Sequence, residues 1–184
     1  MPQATLVGLC GSLRADSFNR KLMQDAARRF EAAHGGRFVE GDLRLPLFDA
    51  DLEAQGMPEA VTELADRVRS ADAVLIACPE YNKAPPGVMK NALDWLSRGK
   101  GWPMEGKPVA LVSATAGRAG GERTQYILRL MLVPHRAQVL THPEVLVGQA
   151  KEHFDAEGRL ATESYAQRLD ELLARLHDAV SAAA

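Results

Sequence analysis

Cysteine is scarce, with two residues in a chain of 184, Cys10 and Cys78, neither in a C-x-x-C. That argues against a disulfide scaffold or a zinc site. The five histidines show no metal-ligand spacing, so no metal is expected. No apolar run approaches the length of a bilayer span, and no basic segment followed by an apolar core opens the chain. The expected setting is the cytoplasm, with no membrane partner. Charge of one sign is also lacking: a formal net charge of −2 provides no basic field for nucleic acid. Two familiar phosphate motifs are missing. There is no G-x-x-x-x-G-K-[ST], and Gly8-Leu9-Cys10-Gly11 is not G-x-G-x-x-G. Ser12 does not sit in G-x-S-x-G and has no assignable histidine partner, which argues against a serine hydrolase.

What is there is alternation. The hydrophobic share of 46% and charged share of 25% are those of an ordinary globular protein, and 184 residues fit one domain spanning 1–184. Apolar runs at Thr5–Cys10, Ala73–Cys78 and Val109–Ser113 read as strands covered on both faces. Arg37–Leu43 supplies a further strand, and Gln138–Leu140, extended as far as Val147, the last. Between them the pattern changes to helical spacing. Phe18–Ala33 and Gly121–Leu132 read as helices, and Val61, Leu64, Ala65 and Val68 share one helical face. Val88, Ala92, Trp95 and Leu96 share another, and Tyr165, Leu169, Leu172, Leu173, Leu176 and Val180 make the clearest amphipathic helix. Five strands and five helices in turn call for an α/β protein, a parallel sheet with helices on both faces.

In such sheets ligands bind beyond the carboxyl ends of the strands. Three loops leave strands on that side. The first, Gly11–Asn19, runs into a helix start and carries Ser12, Arg14, Ser17 and Asn19. Backbone N–H groups and the positive end of a helix dipole converge there, the chemistry of a phosphate cradle. Asp16 or Ser17 would equally serve as a helix cap. The second, Pro79–Gly87, is stiffened by prolines and offers Tyr81 as a flat face, Asn82 as donor and acceptor, and Glu80 as an acceptor. The third, Ser113–Arg123, has glycines that permit close backbone approach to a ring edge, or that merely confer flexibility. Lys90 and Asp94, four apart on a helix, read as a surface ion pair. Cys10 and Cys78 end strands that should be neighbours, which would bring their thiols close together near the site; in a cytosolic protein they are expected as buried, unpaired thiols.

Gly-Ser-Leu-Arg-x-x-Ser-x-Asn-Arg at Gly11–Arg20, Leu-Pro-Leu-Phe-Asp at Leu45–Asp49, Pro-Glu-Tyr-Asn at Pro79–Asn82 and the segment Pro86–Arg98 follow in an order that resembles the NAD(P)H-dependent FMN reductases. These form a flavodoxin-like group that includes bacterial chromate and quinone reductases. The resemblance implies a flavodoxin-like three-layer sandwich with a five-stranded parallel sheet in the order 2-1-3-4-5. It implies that Ser12, Arg14, Ser17 and Asn19 hold the phosphate of FMN. Pro79, Glu80, Tyr81 and Asn82 would contact the isoalloxazine and ribityl chain, and Ser113, Thr115 and Gly117 would border the pyrimidine side. It further implies a homodimer or homotetramer whose contact involves Pro86–Arg98. Lys83 and Ala116 depart from the family's usual residues.

The expected activity is two-electron reduction by alternating half-reactions. NAD(P)H delivers hydride to the N5 of FMN, then gives way to a small-molecule acceptor such as a quinone, chromate, an azo compound or free flavin. The cofactor carries the chemistry, so no catalytic side chain is assigned. Two rivals stand beside it. One is a flavodoxin-type one-electron carrier, against which the near-neutral charge and Arg14 argue. The other is a non-catalytic redox sensor working through Cys10 and Cys78.

Overall fold

The computed structural model describes residues 3–98 and 101–183. In chain order the elements are β1 (Thr5–Cys10), α1 (Phe18–His34), β2 (Arg37–Gly41), α2 (Ala50–Gln55), α3 (Glu59–Ser70), β3 (Ala73–Ala77), α4 (Gly87–Leu96), β4 (Pro108–Ala114), α5 (Glu122–Leu132), β5 (Gln138–Val139), β6 (Val145–Val147) and α6 (Glu163–Ala183), with a short 3₁₀ turn at Ala150–Glu152. The strands pair in parallel in the order β2-β1-β3-β4-β5, and β6 also pairs with β4. This is the flavodoxin-like arrangement.

The apolar runs explain the centre of the sheet. Every residue of β3 and β4 is buried, because helices cover both faces and neither face meets water. Leu22 and Phe30 of α1, with Leu169, Leu173 and Leu176 of α6, pack against Leu6 and Leu75 on one face. On the other, Leu64 and Val68 of α3, Met89 and Leu93 of α4 and Leu128 of α5 pack against Val7, Ile76 and Leu111. Each fully buried side chain of this size contributes about 1.5–3 kcal/mol. No helix among the described residues is long and apolar enough to cross a membrane.

Three local expectations change. The last strand is broken: Gln138–Val139 and Val145–Val147 both lie on β4, and the chain leaves the sheet between them. Leu140 N–H still donates to Val109 O at 2.9 Å, but Pro143, inside the break, has no N–H for a ladder. β2 stops at Gly41 rather than Leu43. A sixth helix, α2, was not expected. Asp49 caps it, accepting from Asp51 N–H at 2.8 Å, and its six residues bury nothing, so no apolar period announces it.

Candidate functional site

Because β1, β3 and β4 run parallel and in register, their carboxyl ends deliver the three loops to one edge. There they enclose a cleft of about 230 Å³. The first loop lines it with Ser12, Arg14, Ser17, Phe18 and Asn19, the second with Pro79, Glu80 and Tyr81, and the third with Ala114, Thr115 and Ala116. The loops approach closely. A Cβ on Gly11 would stand 2.7 Å from Cys78 Sγ and 3.3 Å from Pro79 Cδ, so only glycine lets the first loop lie against the second. Gly11 N–H donates to Ala77 O at 2.9 Å, continuing the ladder one residue past β1.

At the first loop the polar groups are largely uncommitted. Ser17 caps α1, its Oγ accepting from Arg20 N–H at a long 3.4 Å. Among the described residues no acceptor takes the N–H groups of Phe18 and Asn19, so two donors at the positive end of the helix stay available. The Ser12 hydroxyl and the Arg14 guanidinium likewise make no hydrogen bond or ion pair among the described residues, and Arg14 is exposed. The nearby carboxylate is engaged elsewhere: Lys21 holds Asp16, and that contact draws the Asp16 carboxyl below its ordinary range. The cap reading and the anion reading are therefore compatible, since the cap uses only Ser17. The Asn19 side chain is different. It is buried and bonds the backbone of Ala114, Nδ2 donating to the carbonyl at 2.7 Å and Oδ1 accepting from the N–H at 3.0 Å.

The second loop is a tight hairpin. Tyr81 N–H donates to Ala84 O at 2.9 Å and Ala84 N–H to Tyr81 O at 3.1 Å, while Asn82 and Lys83 take φ of 51° and 66°. Two consecutive left-handed residues between paired ends make a type I′ turn, which puts Asn82 at an exposed tip outside the cleft lining. Tyr81 is 49% exposed. Glu80 points inward: its Oε1 lies 3.8 Å from Arg123 Nη1, and its Oε2 is buried without a hydrogen-bond partner among the described residues. A buried oxygen in that state costs about 1–3 kcal/mol until a donor reaches it.

The third loop is held from behind. Ser113 is fully buried; its Oγ donates to Gly120 O at 2.6 Å and accepts from Gln125 Nε2 at 3.0 Å. Thr115 Oγ1 donates to Gly117 O at 3.1 Å. Ser113 and Gly117 thus lie outside the cleft lining, whereas the N–H groups of Ala116 and Gly117 have no acceptor among the described residues. Phe18 and Ala114 are lining residues that the sequence did not single out, and Ala116, noted there only as a departure from the family's usual residue, is a third. Phe18 had a visible signal, as the first residue of a helix whose start was read as the site.

The two thiols do not meet as expected. Cys10 pairs in register with Ala77, so Cys78, one residue on, points to the opposite face. Cys10 packs with the α1 and α6 core and Cys78 with the α3, α4 and α5 core. Burial pushes the Cys78 thiol up to about 12 and also raises that of Cys10. Thiols held protonated are poor nucleophiles, which weighs against the sensor reading. The surface pair holds, with Lys90 Nζ 2.6 Å from Asp94 Oδ1.

The sequence model of a family described as NADPH-dependent FMN reductase matches residues 4–152. The chain is 40% identical over 173 residues to an NAD(P)H-dependent FMN reductase of Pseudomonas aeruginosa, covering 93% of this chain and 92% of the relative. It is 39% identical over 153 residues to a quinone reductase of Escherichia coli, covering 83% and 81%. Among solved structures it resembles a flavoenzyme NAD(P)H:(acceptor) oxidoreductase from Paracoccus denitrificans, with a TM-score of 0.87, 33% identity and 97% of each chain covered.

Proposed function

The chain belongs to the NADPH-dependent FMN reductase family, and on that premise we propose that it reduces quinones or related small acceptors with NAD(P)H by two-electron, ping-pong hydride transfer. One observation carries the reading. The cleft that Arg14 and the α1 N-terminus line is also lined by Glu80, whose Oε2 is buried with no hydrogen-bond partner among the described residues. A simple anion would leave that oxygen unsatisfied; a ligand bearing a phosphate and a hydroxylated chain satisfies both ends.

The residues present fit FMN. Ser12, Arg14 and Ser17 would hold its phosphate through side chains, and Asn19 through its N–H. Glu80 would accept from a ribityl hydroxyl. Pro79, Tyr81 and the Asn82 turn would flank the ring, with Thr115, Ala116 and Gly117 along its pyrimidine edge and Ser113 holding that loop in place. When bound, FMN supplies the hydride chemistry. The chain would supply orientation, and the uncommitted N–H groups of Ala116 and Gly117 would stabilise negative charge at the ring edge. Donor and acceptor use the same cleft in turn. A homodimer or homotetramer contacting through α4 belongs to the same reading, as does a cytoplasmic site of action.

The test is an FMN titration followed by visible absorbance, then initial rates of NAD(P)H oxidation with NAD(P)H and a quinone varied together. Expected are stoichiometric FMN uptake and parallel double-reciprocal lines. Protein that takes up no FMN overturns the cofactor reading; intersecting lines overturn the alternating order alone.

A further inference from the structure

The first and third loops are joined by one side chain. β3 pairs with β4 only as far as Val112, and Cys78 N–H donates to Val112 O at 3.0 Å as the second loop departs. Two residues on, at Ala114, no strand remains on that side. The Asn19 carboxamide takes its place, filling both backbone groups of Ala114 at 2.7 and 3.0 Å across 95 positions of sequence. Asn19 is 3% exposed and Ala114 2%, so water does not compete for these bonds and the pair is strong for its size. The same residue sits at the second position of α1, with its own N–H uncommitted at the anion end. Ala114 leads directly into Thr115 and Ala116, which line the cleft.

We propose that Asn19 is a positioning residue: its side chain sets the third loop, and so the ring end of the site, relative to the phosphate end, and does not itself bind the phosphate. This rests on the cofactor reading above. The carboxamide has one donor group and one acceptor group aimed at one peptide unit. Turning it toward a phosphate would strand both backbone groups of Ala114 in a dry interior.

Riboflavin, which lacks the phosphate, separates the two roles. Asn19→Ala is expected to weaken FMN and riboflavin alike, each roughly 10- to 100-fold, so that their affinity ratio changes less than about threefold. Arg14→Ala is expected to collapse that ratio and leave riboflavin affinity as it was. With FMN saturating, the visible circular dichroism of the flavin changes in Asn19→Ala and not in Arg14→Ala. An Asn19→Ala protein that loses FMN affinity while holding riboflavin normally overturns the proposal.

Asn19→Asp guards against a variant that fails to fold. Protonated, the acid reproduces the donor and acceptor of the amide; ionised, it faces the Ala114 carbonyl with no proton to give. Its riboflavin affinity should recover by about tenfold as pH falls from neutral toward the carboxylate range. No recovery overturns the proposal. In flavin-free protein, Asn19→Ala should speed exchange of the Ala114 N–H while the rest of β4 stays protected; unchanged exchange also overturns it. Wild-type protein that takes up neither flavin overturns the cofactor reading and the positioning role with it, whereas the exchange measurement still decides whether the clasp exists.

Discussion

At the first loop the Ser12 hydroxyl, the Arg14 guanidinium and two helix N–H groups bond nothing among the described residues. At the third loop the Ser113 hydroxyl, the Thr115 hydroxyl and the Gly117 carbonyl are all engaged within the protein. Both loops follow parallel strands, and both are built from small polar residues and glycine. What separates them is where the loop is held. The first is anchored at its two ends, by Gly11 on β3 and by the Ser17 cap. Its middle is held through the Leu13 carbonyl, which accepts from Arg44 Nη2 at 3.4 Å, and through Asp16 on Lys21, leaving the Ser12 and Arg14 side chains open to a ligand. The third carries its own anchors along its length and meets a ligand with backbone alone. A serine or an asparagine in a ligand-facing loop therefore has two different fates, and removing it should have two different effects.

Arg14→Ala gives the largest expected effect. An exposed guanidinium with no internal partner has little to lose in the fold, so stability should move by less than about 0.5 kcal/mol. Charge-assisted bonds to a phosphate are strong, and FMN affinity should fall roughly 100-fold, about 3 kcal/mol. FMN titration and urea unfolding of the same variant check both halves. Equal losses in binding and stability would erase the distinction between the loops.

Ser113→Ala tests the other side. Gly120 O loses its donor, and Gln125 Nε2 keeps only its bond to Val145 O at 3.0 Å. Gln125 Oε1 is already buried without a partner among the described residues, so the network has no slack. Stability should drop by about 2 kcal/mol, seen as a lower urea midpoint at unchanged slope. Ser12→Ala, the same chemical change in the first loop, should move the midpoint little and weaken FMN severalfold. Should Ser12→Ala prove the more destabilising of the two, the contrast fails.

Much of this was legible in the residues. Continuous apolar runs identified β1, β3 and β4 because burial on both faces leaves no alternation to confuse the pattern, and their loops located the cleft. The broken last strand was half visible, since Pro143 argues against an unbroken ladder. Which polar side chain faces the ligand was not legible. Asn19 and Asn82 both suit a ligand, yet one is clasped to a strand 95 positions away and the other sits on a turn tip. No local pattern encodes the end of β3 pairing at Val112, and that ending is what gives Asn19 its task. Asn82 was half within reach: Asn suits the first central position of a type I′ turn, but Lys83 stands where a glycine would have announced it.

That turn lies between the two loops and allows the smallest and sharpest comparison. Lys83 holds a φ of 66°, a region that costs a residue with a Cβ about 1–2 kcal/mol and costs glycine almost nothing. Its side chain is exposed and outside the cleft lining, so the strain is not offset by a visible contact among the described residues. Lys83→Gly makes the pair Asn-Gly, the preferred sequence for this turn. The freer unfolded chain offsets part of the relief, and the net gain should be about 0.5–1 kcal/mol in urea unfolding. FMN affinity should stay within about threefold, because the Tyr81–Ala84 bonds that set the platform are backbone bonds and survive the change. A stabilised protein that binds FMN much more weakly would mean that the ammonium of Lys83 reaches the ligand, and would move the second loop from the backbone-built kind to the uncommitted kind that the first loop represents.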